Sequence, residues 1–234
     1  HREVALRIRA WIEHNRTAVE RKTGGRVGYI YLGDTYDSGQ SELVRQFYGQ
    51  FSKQAFIIDA RWNGGGRWPD RFVELLNRPL THYVAVRDGQ DARAPLLGHP
   101  GPKCLLVNEQ SVSGGDLLAA LFRQAGVGPL IGTRTSGKLT GPRDDAPGLI
   151  DGGWVSVPGG GIYELDGTWC IEGYGVEPDI EVINDPALMV EGGDPQLDAA
   201  ITYILGELDK HPYVPPKRPA YPDRSGMGIA PEDR

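Results

Sequence analysis

The chain has 234 residues, 39% hydrophobic and 24% charged, with 25 Lys and Arg against 31 Asp and Glu for a formal net charge of −6. That balance suits a folded chain with a buried core and excludes bulk disorder. The longest apolar run, Leu117 to Phe122, is far short of the roughly 18 residues that cross a bilayer, so no membrane partner is expected. The acidic surplus has no dense Lys/Arg block to set against a phosphate backbone, so no nucleic acid is expected either. Cys104 and Cys170 lie far apart and the five histidines are scattered, which encodes neither a disulfide framework nor metal-ligand spacing. No metal and no cofactor are expected. The chain starts at His1 with no signal-peptide pattern behind it, which reads as a processed form or a fragment of something longer.

Along the chain, Glu3 to Arg21 carries apolar positions among many charges and ends at Gly24 and Gly25, which predicts an amphipathic N-terminal helix. Val27 to Leu32 reads as a strand, Glu42 to Phe51 as a helix, and Ala55 to Ala60 as a buried strand running into Gly64, Gly65 and Gly66. The cycle repeats with a helix over Arg71 to Leu76, strands over Tyr83 to Val86 and Cys104 to Val107, and a helix over Gly115 to Gln124. Alternating strands and helices predict an α/β fold with a mostly parallel sheet and crossover helices.

After Gly126 the pattern changes to short strands: Pro129 to Gly132, Gly153 to Val157, and Gly161 to Leu165 turning at Asp166 and Gly167 into Thr168 to Glu172, a hairpin signal. Asp194 caps a last amphipathic helix, Pro195 to Leu208. Six of the 18 prolines fall after His211, so the tail is expected to be extended. The expected organisation is an N-terminal helical arm over 1–25, a core over 26–210 and a proline-rich tail over 211–234.

Three segments could carry chemistry. Asn108 to Leu118, N-E-Q-S-V-S-G-G-D-L-L, places Ser113 where a strand meets a helix. There a serine can present its hydroxyl with the next backbone N–H, that of Gly114, pointing into the same space. The same serine can instead cap the helix, with Asp116 as a capping-box acid. Ile57 to Gly66, I-I-D-A-R-W-N-G-G-G, either turns glycine amides toward an anion or is simply a turn. Thr133 to Lys138, T-R-T-S-G-K, is a near-miss to a phosphate loop. Leu139 stands where the Ser/Thr is required, and Gly141 with Pro142 would stop the receiving helix, so nucleotide binding is rejected.

Together and in this order, from about Gly25 to Leu208, these segments and E-G-Y-G-V-E-P-D-I-E-V resemble the catalytic core of tail-specific (C-terminal processing) and tricorn-type serine peptidases. The resemblance implies a crotonase-like αββ superhelix, Ser113 as nucleophile, and the Gly66 and Gly114 amides as oxyanion hole. Tricorn takes its catalytic histidine and a helper serine from an upstream helical domain, so those two roles are not carried over. Lys138 stands where tail-specific peptidases place their catalytic lysine, and so looks like the base of a Ser/Lys dyad. A lysine titrates near 10.4 and can take the serine proton only if apolar walls lower that value by several units; Val127, Ile131 and Leu139 are the residues near enough in sequence to supply them. Glu172 matches a tricorn glutamate that orients the catalytic apparatus, or is a surface carboxylate. Asp116 fixes the loop, meets the lysine or caps its own helix.

The function expected is a serine hydrolase acting through an acyl-enzyme on peptide bonds and on small carboxylic esters. The alternative is a catalytically incomplete C-terminal fragment of a tricorn-like protease that binds peptides or serves assembly. Tricorn assembles as a hexamer, so the resemblance implies a homo-oligomer, and a cytoplasmic location with it.

Overall fold

The computed structural model describes residues 2–143, 145, 147–190, 192–222, 227, 228 and 232. His1 and part of the expected 211–234 tail lie outside them. Five strands form one fully parallel sheet in the order β1-β2-β5-β6-β7: β1 Val27–Tyr31, β2 Ala55–Asp59, β5 Lys103–Val107, β6 Leu130–Gly132 and β7 Ile180–Glu181. Among the described residues six helices accompany them: α1 Arg2–Lys22, α2 Asp37–Gly49, α3 Pro69–Leu76, α4 Gly114–Gln124, α5 Pro186–Val190 and α6 Pro195–Lys210. The expected α/β fold with a mostly parallel sheet is the one observed.

Successive strand side chains point to opposite faces, and β2 and β5 are buried on both. Ile30, Phe56, Ile58, Leu105 and Val107 pack on one face against Leu43 and Phe47 of α2, Phe72 and Leu76 of α3, and Leu118 and Phe122 of α4. Tyr29, Ile57, Cys104, Leu106 and Ile131 pack on the other against Val19 of α1 and Leu197, Ala200, Ile201 and Ile204 of α6. The helix expected as an arm thus packs on the sheet through its C-terminal half, while Val4, Leu6 and Ile8 remain exposed. None of the described helices is long and apolar enough to cross a membrane.

Three segments differ from the sequence reading. The strand expected over Tyr83 to Val86 does not join the sheet. It forms β3 His82–Val84, antiparallel to β4 Ala92–Ala94, as a separate ribbon. The hairpin expected around Asp166 and Gly167 makes its turn, with Glu164 N donating to Thr168 O at 2.7 Å, but only one bridge forms, Tyr163 with Trp169. Residues 153–157 pair as no strand. Trp154, Leu165 and Trp169 are all exposed, so alternation there has no layer to pack against.

Strand β1 is an edge, and α2 closes it. Gln46 accepts from Tyr31 N at 3.1 Å and donates to Tyr31 O at 3.0 Å; one turn later Gln50 accepts from Tyr29 N at 3.2 Å and donates to Tyr29 O at 3.0 Å. The two amides occupy the hydrogen-bonding positions of a neighbouring strand. Replacing both by alanine strands four backbone groups, and we expect urea denaturation to show a loss of roughly 2–4 kcal/mol.

At the amino ends of the strands, His99 is buried, accepts at Nδ1 from Gly101 N and donates from Nε2 to Lys53 O at 2.8 Å. Burial lowers its pKa to about 4, whereas the unfolded chain protonates near 6.5. Stability is therefore full above pH 6.5 and falls as pH drops toward 4, because the unfolded state takes up the proton first. Burial also lowers the nearby Lys103 to about 8, so it stays protonated across this window. Between pH 7 and 5 the wild-type chain should lose about 2 kcal/mol that His99→Gln does not lose, read from denaturation curves at the two pH values.

Candidate active site

All the segments singled out for chemistry leave the carboxyl ends of adjacent parallel strands, the usual place for ligands on such sheets. Residues 60–68 follow β2, 108–113 follow β5, and 133–140 follow β6; the loop 32–36 follows β1.

The β2 loop is anchored by a buried ion pair. Arg61 and Asp59 are fully buried; Arg61 donates from Nε to Asp59 at 3.0 Å and from Nη2 at 2.7 Å, and from Nη1 to Asp194 at the start of α6 at 2.8 Å. Burial opposes the guanidinium charge, but the Asp59 carboxylate outweighs it and holds the Arg61 pKa up. The rings of Trp11 and Trp62 lie 5.4 and 5.5 Å from the guanidinium. Tyr29 donates its phenol to Asp59 at 2.8 Å, and burial beside that carboxylate raises its own pKa.

Beyond the anchor, Asn63 joins three loops. Its Nδ2 donates to Leu32 O at 2.9 Å, its Oδ1 accepts from Gly65 N at 2.9 Å, and its carbonyl accepts from Val112 N at 3.0 Å. Thr35 N donates to Gly65 O at 2.8 Å. The glycine segment is therefore a fixed element and not a loose turn.

Ser113 stands at the start of α4 with φ 55° and ψ −113°, and its side chain caps nothing. The capping reading is thus overturned at both ends. Asp116, fully buried, turns away from its own helix start and accepts from Gly137 N at 2.8 Å. A Cβ on Gly114 would lie 2.4 Å from Gly66 O, and one on Gly66 2.5 Å from the Thr35 carbonyl carbon, so the two backbones approach as only glycine permits. Among the described residues neither Gly66 N nor Gly114 N donates a hydrogen bond. Among the described residues, the non-glycine residues with positive φ are Trp62, Trp68 and Ser113. All three flank this point, where backbone strain is characteristic of function.

Lys138 departs from the condition set for it. Its side chain is exposed and pairs with no described residue. It lines an open groove of about 810 Å³ with Glu109, Arg134, Tyr174 and Glu177. Val127 and Ile131 pack on opposite faces of the sheet, and Leu139 buries itself without enclosing the ammonium. Its loop is nonetheless held on both sides. Asp116 grips Gly137, and Glu172 accepts from Leu139 N at 2.8 Å and Thr140 N at 2.6 Å. What burial Glu172 has raises its pKa, but the hydrogen bonds from Thr140 and Leu139 outweigh that and lower it. The serine, the glycines and Asp116 come together; Glu172 joins them through the loop, and Lys138 projects from it.

Sequence reasoning quoted Arg61 and Asn63 without giving them a role, and it passed over Thr35. The visible signal for Asn63 was its place between a buried strand and three glycines, where an Asn side chain commonly bonds nearby backbone.

A serine on a strained strand-to-helix turn, next to free amides, is an arrangement that serine hydrolases use. The chain belongs to peptidase family S41, whose family profile matches residues 26–182. It is 35% identical over 215 residues to the tricorn protease of Thermoplasma volcanium, covering 91% of this chain and 21% of that protein. It is 33% identical over 218 residues to tricorn protease homolog 1 of Streptomyces coelicolor, covering 93% and 20%. The carboxyl-terminal-processing protease of a Picosynechococcus species is 27% identical over 205 residues, covering 80% of this chain and 47% of that protein. The crystal structure of the tricorn protease superposes with a TM-score of 0.80 at 35% identity, covering 86% of this chain and 20% of that one. The chain therefore spans about a fifth of the length of the tricorn relatives it matches.

The close approach can be tested by stability alone. Gly66→Ala forces a Cβ against backbone at φ 145° and should cost roughly 2–4 kcal/mol in urea denaturation. Gly64→Ala, whose Cβ would meet nothing nearer than 3.8 Å, should cost under about 1 kcal/mol.

Proposed function

We propose that this chain is the nucleophile-bearing core of a serine peptidase that cleaves by way of an acyl-enzyme. The observation that carries the reading is the strained Ser113 set beside two glycine amides that bond no described residue. Ser113 Oγ attacks the substrate carbonyl, the carbonyl electron pair moves onto oxygen, and the Gly66 and Gly114 amides stabilise that oxyanion. Collapse expels the amine or alcohol, and water then releases the acid. Alcohols leave more easily than amines and need less acid help, so small carboxylic esters belong to the same repertoire.

Lys138 is the base this chain offers. To accept the serine proton its ammonium must leave solvent for an apolar environment, and the Asp116 and Glu172 hydrogen bonds would carry the whole 137–140 segment in such a movement. Glu172 is then a positioning residue. The second reading, favoured by the exposure of Lys138, is that the base comes from another part of a larger protein or assembly, and that this chain alone binds peptide without cleaving it. Assembly as a homo-oligomer is part of the same proposal.

Hydrolysis of p-nitrophenyl butyrate and of a fluorogenic peptide panel tests the reading. Ser113→Ala should abolish turnover with the thermal midpoint unchanged. Lys138→Ala should lower kcat by at least about 100-fold if it is the base, and Glu172→Gln by less. Full activity in Lys138→Ala assigns the base elsewhere, and full activity in Ser113→Ala rejects the serine mechanism.

A further inference from the structure

The loop after β1 brings one more polar group to this point. Thr35 is fully buried, and its Oγ1 has no hydrogen-bond partner among the described residues. A buried hydroxyl without a partner costs about 1–3 kcal/mol, and such groups in folded proteins call for a specific explanation. Helix capping does not supply one. Asp34 closes the start of α2, its Oδ1 accepting from Tyr36 N and Gly39 N at 2.9 Å each. The Thr35 amide is engaged with Gly65 O, which fixes the residue while leaving its side chain free of any structural bond.

The position of that side chain is specific. Oγ1 lies 2.2 Å from where a Cβ on Gly114 would stand and 2.7 Å from where one on Gly66 would stand. Two backbone N–H groups and one hydroxyl thus crowd together, and none bonds another or any other described residue. A hydroxyl can donate as well as accept. Three groups that can each donate, none of them engaged with a described residue, are arranged to receive an oxygen that gains negative charge.

We propose that the Thr35 hydroxyl is the third donor of this oxyanion pocket, beside the Gly66 and Gly114 amides. The proposal rests on the reading of Ser113 as nucleophile. As the bond from Ser113 Oγ to the carbonyl carbon forms, the carbonyl π pair moves to oxygen and the serine proton passes to the base. Thr35 then donates to that oxygen, and its hydrogen bond is made most strongly in the tetrahedral intermediate. Its effect belongs to kcat more than to KM.

Thr35→Val keeps the shape and removes the hydroxyl, and Thr35→Ser keeps the hydroxyl. With p-nitrophenyl butyrate as substrate, Thr35→Val should lower kcat by about 10- to 100-fold with KM within about twofold, and Thr35→Ser should stay within about fivefold of wild type. The Thr35→Val midpoint should equal or exceed that of wild type, because an unpaired buried hydroxyl is gone. The rate of Ser113 inactivation by diisopropyl fluorophosphate, whose phosphoryl oxygen enters the same pocket, should fall in parallel. An unchanged kcat and inactivation rate in Thr35→Val overturn the role of Thr35 alone. So does a Thr35→Ser variant as impaired as the valine, or a Thr35→Val midpoint lowered in step with kcat. A wild-type chain that neither turns over nor is inactivated overturns the proposal for this chain and leaves only the reading with a base from elsewhere; turnover that persists in Ser113→Ala overturns the nucleophile reading and the proposal with it.

Discussion

The buried contact of Arg61 with Asp59 and Asp194 is the constraint on which the rest of the site depends. It holds the last residue of β2, the second residue of the loop and the start of α6 in one cluster walled by two indole rings. A buried ion pair of this kind is no guarantee of net stability, since desolvation consumes much of the attraction. Its consequence here is geometric. Once Arg61 is fixed by charge inside the protein, the chain two residues on has little freedom, and Asn63 falls where it can join the β1, β2 and β5 loops.

From that point the site is assembled almost wholly from backbone. Glycines 65 and 66 face Ser113 and Gly114 across a gap no side chain could share, and the strained φ values sit on the residues around it. Strain of this kind, of order 1–3 kcal/mol per residue, persists only where surrounding contacts over-determine the conformation. Asn63 and the Thr35 to Gly65 bond do so from below, and Asp116 and Glu172 tether the neighbouring 137–140 segment. A preorganised pocket needs no rearrangement when charge develops in it, which is the main source of its catalytic value.

Much of this was legible in the chain. Apolar runs such as Ala55 to Ala60 and Cys104 to Val107 announced a two-sided parallel sheet, and Asp194 announced the start of α6, whose Leu197 N it accepts at 3.0 Å. The junctions at Ser113 and Gly66 were visible because glycine and serine after a buried strand have few uses. Long-range partners were not visible. Asp116 had a local interpretation, capping three residues after Ser113, and a tertiary contact 21 residues away prevailed. Lys138 had the right spacing, but whether a side chain finds apolar walls depends on packing that spacing does not encode. The hairpin around Asp166 had its turn residues yet no layer to cover it, so local propensity went unrewarded.

The glutamine pair on α2 has a consequence for how this sheet can meet other chains. Extended segments often bind by adding a strand to an exposed edge, where main-chain groups give the affinity. At β1 that route is shut, because Gln46 and Gln50 already occupy the outward-facing groups of Tyr29 and Tyr31. The opposite edge is β7, only two residues long. A sheet with one plugged margin and one stub is a poor template for amyloid-like stacking, and it offers an extended segment no long edge to pair with.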